Sequence, residues 1–223
     1  MTSLKIQRLD QIDHILKRPD MYVGSIRNKK SEEYVALEEG DNYKIEKREI
    51  TFPPALLRIF VEALSNAIDN AQRSKEAGVP CSKIKITLNK ETGETSVWND
   101  GFTIPIEKHD DSSDYKHTLI FGELRTSTNF DDSEERMVSG RNGLGVKLLN
   151  VFSTSFKVKG VDNGKMFLQE WSRNMREVKP PKITNSALKT GFTEVSWIPD
   201  FSAFGIDGYT EDCLLYTSDA ADD

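Results

Sequence analysis

Cysteine is nearly absent from this chain of 223 residues: Cys81 and Cys213 stand alone, without a CxxC pair. That excludes a disulfide-stapled scaffold and a cysteine zinc knuckle. The three histidines, His14, His109 and His117, show no HExxH spacing, so zinc chemistry has no ligand set, and no GxSxG elbow offers a nucleophilic serine. No window approaches the ~18 uninterrupted apolar residues of a membrane span, and MTSLKIQRLD lacks the apolar stretch of a signal peptide. Base is not in excess either. Thirty Lys and Arg face 36 Asp and Glu, a net charge of -6, which argues against a surface that holds nucleic acid by counterion release. If DNA is a partner, another segment grips it. A mean hydropathy of -0.54 completes the expectation of an intracellular soluble protein in one large domain. A chain this long buries roughly 70% of its unfolded surface and needs no staple. Asp, Glu, Asn, Gly and Lys are left to carry any chemistry.

Apolar residues at Leu4, Leu9, Ile12, Ile15 and Leu16 predict a helix that stops at Arg18-Pro19, because the residue before proline is pushed out of the helical region. Residues 27 to 49 are charged and weakly periodic, a loop or hairpin. A long helix is predicted from Pro53-Pro54 to near Gly78, with proline suited to the first turn and glycine to the exit. Ile84, Ile86 and Leu88 alternate with polar residues, then Glu91 to Glu94 turn the chain into Thr95-Ser96-Val97-Trp98, a β-hairpin. Residues 105 to 139 read as a long polar loop or lid holding a short helix around Leu119-Ile120-Phe121. Val146 to Phe152 should be helix. Phe156 to Val161, Met166 to Trp171 and Phe192 to Trp197 read as strands, the first two joined through Asp162-Asn163-Gly164. The tail CLLYTSDAADD, residues 213 to 223, differs in character from the rest and looks like translated sequencing adapter, the alternative being a genuine mobile terminus.

On a wheel of 100° per residue, Glu62, Asn66, Asp69, Asn70 and Arg73 share one face of the long helix, and Leu57, Phe60, Leu64, Ala67 and Ala71 the other. A solvated face is the plain reading, yet such faces favour Lys, Glu and Gln, whereas Asn and Asp compete with the helix backbone. Oxygen side chains one turn apart suit Mg²⁺, which keeps several waters and takes one or two protein ligands. A carboxylate one turn earlier could orient and deprotonate a water. A second feature, Gly140-Arg141-Asn142-Gly143-Leu144-Gly145-Val146-Lys147 before Leu148-Leu149-Asn150, is a plain connection or an anion cradle of crowded N–H groups. It is neither a P-loop nor a dinucleotide fingerprint, since Leu148 stands where those motifs need Ser, Thr or glycine. A third, Asn99-Asp100-Gly101 at a strand end, is a turn signal, and an Asn or Asp there can also read the amino group of an adenine.

In this order the three features resemble the Bergerat-fold ATP site shared by gyrase, Hsp90, MutL and histidine kinases, the GHKL group. RPDMYVGS at 18 to 25, EALSNAIDNAQRS at 62 to 74, LIFGELRTSTNFDD at 119 to 132 and SGRNGLGVKLLNVFST at 139 to 154 are similar to the ATPase region of eukaryotic and large-virus type IIA DNA topoisomerases. The resemblance covers residues 4 to 212. It implies an α/β fold of the α+β two-layer sandwich type, a mixed β-sheet with helices on one face, divided into an N-terminal arm and helix (1–25) and an ATPase domain (26–212). It also implies Glu62 as the base that activates water, Asn66 as the magnesium ligand, and Asn70, Asn99 and Asp100 as nucleotide contacts, with Asn99 on the adenine. Ser127, Thr128 and Asn129 match further nucleotide contacts, and Gly140 to Lys147 the loop around the triphosphate. ATP and Mg²⁺ are the implied cofactors, a homodimer formed on ATP binding and DNA held by other domains the implied partners, with no membrane. The implied location is the nucleus in a eukaryote and the host cytoplasm or virus factory for a virus. Two departures stand out. Thr103 takes the place of the second glycine of NDGxGIP, and Ile6 that of a tyrosine in the N-terminal arm. The alternatives are an ATP-gated dimerisation module with little hydrolysis and a MutL-like or Hsp90-like ATPase.

Overall fold

The computed structural model describes residues 8–39, 42–124 and 144–214. Helix α1 (Gln11–Lys17) starts later than the apolar spacing predicts, because the Asp10 carboxylate accepts the Asp13 amide at 2.7 Å and caps the helix there, leaving Leu9 outside it. Residues 29 to 52 form a hairpin of two long strands, β1 (Lys29–Glu39) and β2 (Asn42–Phe52). One of its faces sits on the body through the buried Val35, Ile50 and Phe52. Helix α2 (Pro54–Glu76) begins at the predicted proline pair and is closed by Gly78 at φ +67°.

The other strands make a single seven-stranded sheet: β3 (Ile84–Leu88), β4 (Thr95–Asp100), β5 (Ser153–Asp162), β6 (Lys165–Ser172), β7 (Glu177–Val178), β8 (Lys182–Asn185) and β9 (Phe192–Pro199). Its order is β3-β4-β9-β5-β6, with β7 and β8 both paired to β6. The sheet, expected to be mixed, is antiparallel at every pairing among the described residues. The reason is partly local, since β3–β4 and β5–β6 are hairpins, and partly long-range, since β9 returns between them. Asn163 and Gly164 both have positive φ, as the two-residue turn at 162–165 requires.

Helices cover one face. Ala55, Leu56, Ile59, Phe60, Ala63, Leu64 and Ala67 of α2 are buried, as are Val97, Phe156, Val158, Val195 and Trp197 of the sheet, and the Phe60 and Trp197 rings meet at 6.4 Å. Truncating a fully buried aromatic such as Trp197 to alanine costs about 3–5 kcal/mol. Two short helices complete the layer, α3 (Lys116–Gly122) and α4 (Gly145–Val151); α4 is buried from Val146 to Val151. Asn150 of α4 donates to the Phe121 carbonyl of α3 at 3.2 Å. The far end of α4 is held by Asn174, which donates to the Val151 carbonyl at 2.9 Å from a turn where Arg173, Asn174 and Met175 all have positive φ. The packing continues to Cys213, 3% exposed, and the Tyr209 hydroxyl meets Thr95 at 2.7 Å. Among the described residues no helix is long and apolar enough to cross a membrane.

Candidate nucleotide-binding site

The cleft of interest lies between α2 and the ends of β4 and α4. Strand alternation separates Asn99, which the resemblance puts on the adenine, from its neighbour Asp100. Asn99, 6% exposed, shares its side of β4 with Val97 and donates from Nδ2 to the Asp100 carbonyl at 2.9 Å. Asn70 of α2 reaches the same carbonyl at 3.4 Å, so the helix and the strand end are joined there. The Asp100 carboxylate is turned to the start of β3. It accepts the amides of Ser82 and Lys83 at 2.8 and 2.9 Å and the Ser82 hydroxyl. Burial pushes this carboxyl up, but those hydrogen bonds outweigh it and hold Asp100 below the usual carboxylate range.

Gly101 follows at φ +100°, and a Cβ there would lie 2.4 Å from the Ser74 hydroxyl. Only glycine permits that approach. Ser74, wholly buried on α2, uses it: its hydroxyl donates to the Asn70 carbonyl at 2.6 Å and accepts the Phe102 amide at 2.8 Å.

About three turns before Ser74 on α2, Glu62 is half-buried, and its Oε1 accepts from Arg58 Nη2 at 2.8 Å. Its Oε2 is aimed at the start of α4, where a Cβ on Gly145 would sit 2.1 Å from it. Asn66, one turn on, is exposed. The described residues hold no group of three or more His, Cys, Asp or Glu that could take a metal ion. Lys147 is 1% exposed, and burial lowers its pKa to about 8 against the raising influence of Glu123. Leu144 is half-buried at the head of α4, and Val146 is buried behind it.

The structure thus joins Asn70 and Asn99 at the Asp100 carbonyl and sets Glu62 against Gly145, with the exposed Asn66 between the two on α2. Ser127, Thr128, Asn129, Gly140, Arg141, Asn142 and Gly143 lie outside the described residues. Sequence reasoning missed Arg58 and Ser74. The four-residue spacing from Arg58 to Glu62 was a usable signal for the first; nothing in the sequence announced the second.

A profile of the family described as "Histidine kinase-, DNA gyrase B-, and HSP90-like ATPase" matches residues 52–170. The chain is 46% identical over 209 residues to DNA topoisomerase 2 of Invertebrate iridescent virus 6, covering 88% of this chain and 18% of that protein. It is 40% identical over 214 residues to the enzyme of Saccharomyces cerevisiae, covering 95% of this chain and 15% of that one. The chain therefore spans less than a fifth of the length of these relatives. The crystal structure of the ATPase region of S. cerevisiae topoisomerase II superposes with a TM-score of 0.91 at 37% identity, over 96% of this chain and 56% of that one. A Thermus thermophilus gyrase B ATPase domain, at 22% identity and a TM-score of 0.62, shares the fold. The chain belongs to the histidine kinase-, DNA gyrase B- and HSP90-like ATPase family, and within it corresponds to the ATP-using ATPase region of DNA topoisomerase 2.

Proposed function

We propose that the chain binds Mg²⁺ and ATP between α2 and the 140–147 segment and hydrolyses the γ-phosphate with Glu62 as base. The observation that carries this reading is the pairing of Asn99 at one end of the cleft with Glu62 at the other, its Oε2 directed at the start of α4. Asn99 takes the adenine amino group. Arg58 holds Oε1 of Glu62, which leaves Oε2 to accept the proton of the attacking water. The Lys147 ammonium offsets triphosphate charge, and a phosphate beside it favours its protonated form. Asn66 offers one exposed carboxamide oxygen, a donor that fits a hydrated hard cation. Mg²⁺ bound there would neutralise phosphate charge. Asn70, Ser127, Thr128, Asn129 and Gly140 to Gly143 complete the proposed nucleotide contacts, and Asp100, whose carboxylate is turned to β3, acts through the carbonyl that Asn99 and Asn70 share.

In the longer protein that the relatives represent, this domain would dimerise on ATP and gate the passage of one DNA duplex through another. It would act in the nucleus of a eukaryote or in the virus factory of an infected cell. The DNA would be held by other domains, in keeping with the net charge of -6.

The test is calorimetric titration with a non-hydrolysable ATP analogue, with and without Mg²⁺, beside Asn99→Ala and Gly145→Val. Magnesium-dependent binding, lost in both variants while they stay folded, is the expected result. No binding by the folded parent chain would sink the reading.

A further inference from the structure

Thr103 stands where the resemblance calls for a glycine, and the structure shows where its side chain goes. The Thr103 hydroxyl donates to Oδ1 of Asp162, the last residue of β5, at 2.5 Å. Its methyl fills the space over Gly191, just before β9: a Cβ on Gly191 would lie 2.4 Å from Thr103 Cγ2 and 2.9 Å from the Val161 carbonyl oxygen. Sheet register explains the meeting. Phe192 pairs with Asp100 on one side and with Val161 on the other, so the ends of β4, β9 and β5 lie side by side. The segment leaving β4 crosses the start of β9 and fastens to the end of β5. The threonine on the loop is thus matched by a glycine just before the strand beneath it. On the other side the same loop is held to α2 by the hydrogen bond from the Phe102 amide to Ser74.

We propose that Thr103 is a positioning residue for the nucleobase, a clasp that holds the segment after β4 to the β5 and β9 ends so that Asn99 is presented to the base at a fixed height. The inference rests on the nucleotide reading above and adds to it that base recognition in this chain depends on a side-chain contact with Asp162. The contact leaves the phosphate end of the cleft alone, so its loss separates the two ends.

The test compares the parent chain with Thr103→Val, which keeps the shape and loses the hydroxyl, and Thr103→Ser, which keeps the hydroxyl. Each is titrated with a non-hydrolysable ATP analogue and with inorganic tripolyphosphate, which has no base. Thr103→Val should bind the analogue about three- to tenfold more weakly, the size of one hydrogen bond, with tripolyphosphate affinity unchanged. Thr103→Ser should recover most of the loss. In a second arm, Gly191→Ala should weaken analogue binding, and adding Thr103→Ser, which removes the opposing methyl, should restore part of it. Equal analogue affinity in Thr103→Val and parent, or an equal loss of both ligands, overturns the clasp and leaves the nucleotide reading standing. A folded parent that binds neither ligand overturns the nucleotide reading, and the clasp with it.

Discussion

The two ends of the cleft are built differently. At the Asn99 end, every group that places the carboxamide is tied down: Ser74 bonds both the helix and the loop, the Asp100 carbonyl accepts from Asn99 and Asn70, and Thr103 is fastened to Asp162. At the Glu62 end, a half-buried carboxylate is held by an arginine that is itself 59% exposed, and the candidate metal ligand Asn66 is open to solvent. Burial strengthens the hydrogen bonds at the first end and solvent screens the ion pair at the second. The difference teaches that the folded chain already fixes the side chains around Asn99, whereas at the other end Asn66 and the Arg58–Glu62 pair stand open to solvent.

The contrast is sharpest in the response to mutation. Glu62→Gln removes the proposed base and, with it, the charge of the exposed Arg58 pair. Turnover should fall by about 10²- to 10⁴-fold, measured by phosphate release, with analogue affinity retained. Equal turnover would remove Glu62 from that role. Ser74→Ala acts at the other end. It deletes a wholly buried hydroxyl with two partners and should lower the unfolding free energy by about 1–3 kcal/mol in urea, with weaker nucleotide binding besides. A stability change within ±0.5 kcal/mol of zero, the range of an ordinary surface substitution, would show that the Asn99 end is not held as argued.

Acidity separates the ends without mutation. Burial lowers the Lys147 pKa to about 8, and a bound triphosphate would raise it. Because the liganded form then holds the proton more tightly, affinity should be flat below about pH 8. Above it, affinity should fall, by up to about tenfold per unit, until the liganded pKa is reached. Titrations from pH 7 to 10 give the slope, and Lys147→Met should abolish it. A slope that survives the substitution would place the titrating group elsewhere. The smallest effect belongs to Arg58. An exposed i,i+4 pair contributes only about 0.3–0.5 kcal/mol to stability, so Arg58→Ala should leave the melting temperature nearly unchanged while lowering turnover a few-fold, with recovery in Arg58→Lys. A drop in melting temperature without a change in turnover would make the pair structural only.

Much of this architecture was legible beforehand, for local reasons. The Pro53-Pro54 start and Gly78 exit of α2, the one-sided apolar wheel, the 84–100 hairpin and the Asn163-Gly164 turn all follow from neighbours in sequence, where backbone restrictions and side-chain spacing decide conformation. The start of α1 did not follow, because one hydrogen bond from Asp10 overrode the apolar pattern. The antiparallel course of the sheet was hidden too. It depends on β9 pairing with both β4 and β5, contacts made across a hundred residues on one side and some forty on the other.

By itself the sequence determined which residues could do chemistry and on which face of α2 they lie, since a helix wheel is set by spacing alone. It also carried, in four ordered motifs, the resemblance that the family match bears out. Only the tertiary structure decided that the Asp100 carboxylate turns to the start of β3, that Oε2 of Glu62 points to Gly145, and that Thr103 is accommodated by a glycine 88 positions away. Those outcomes depend on strand register and on the distance between surfaces brought together by folding, quantities that no local pattern encodes.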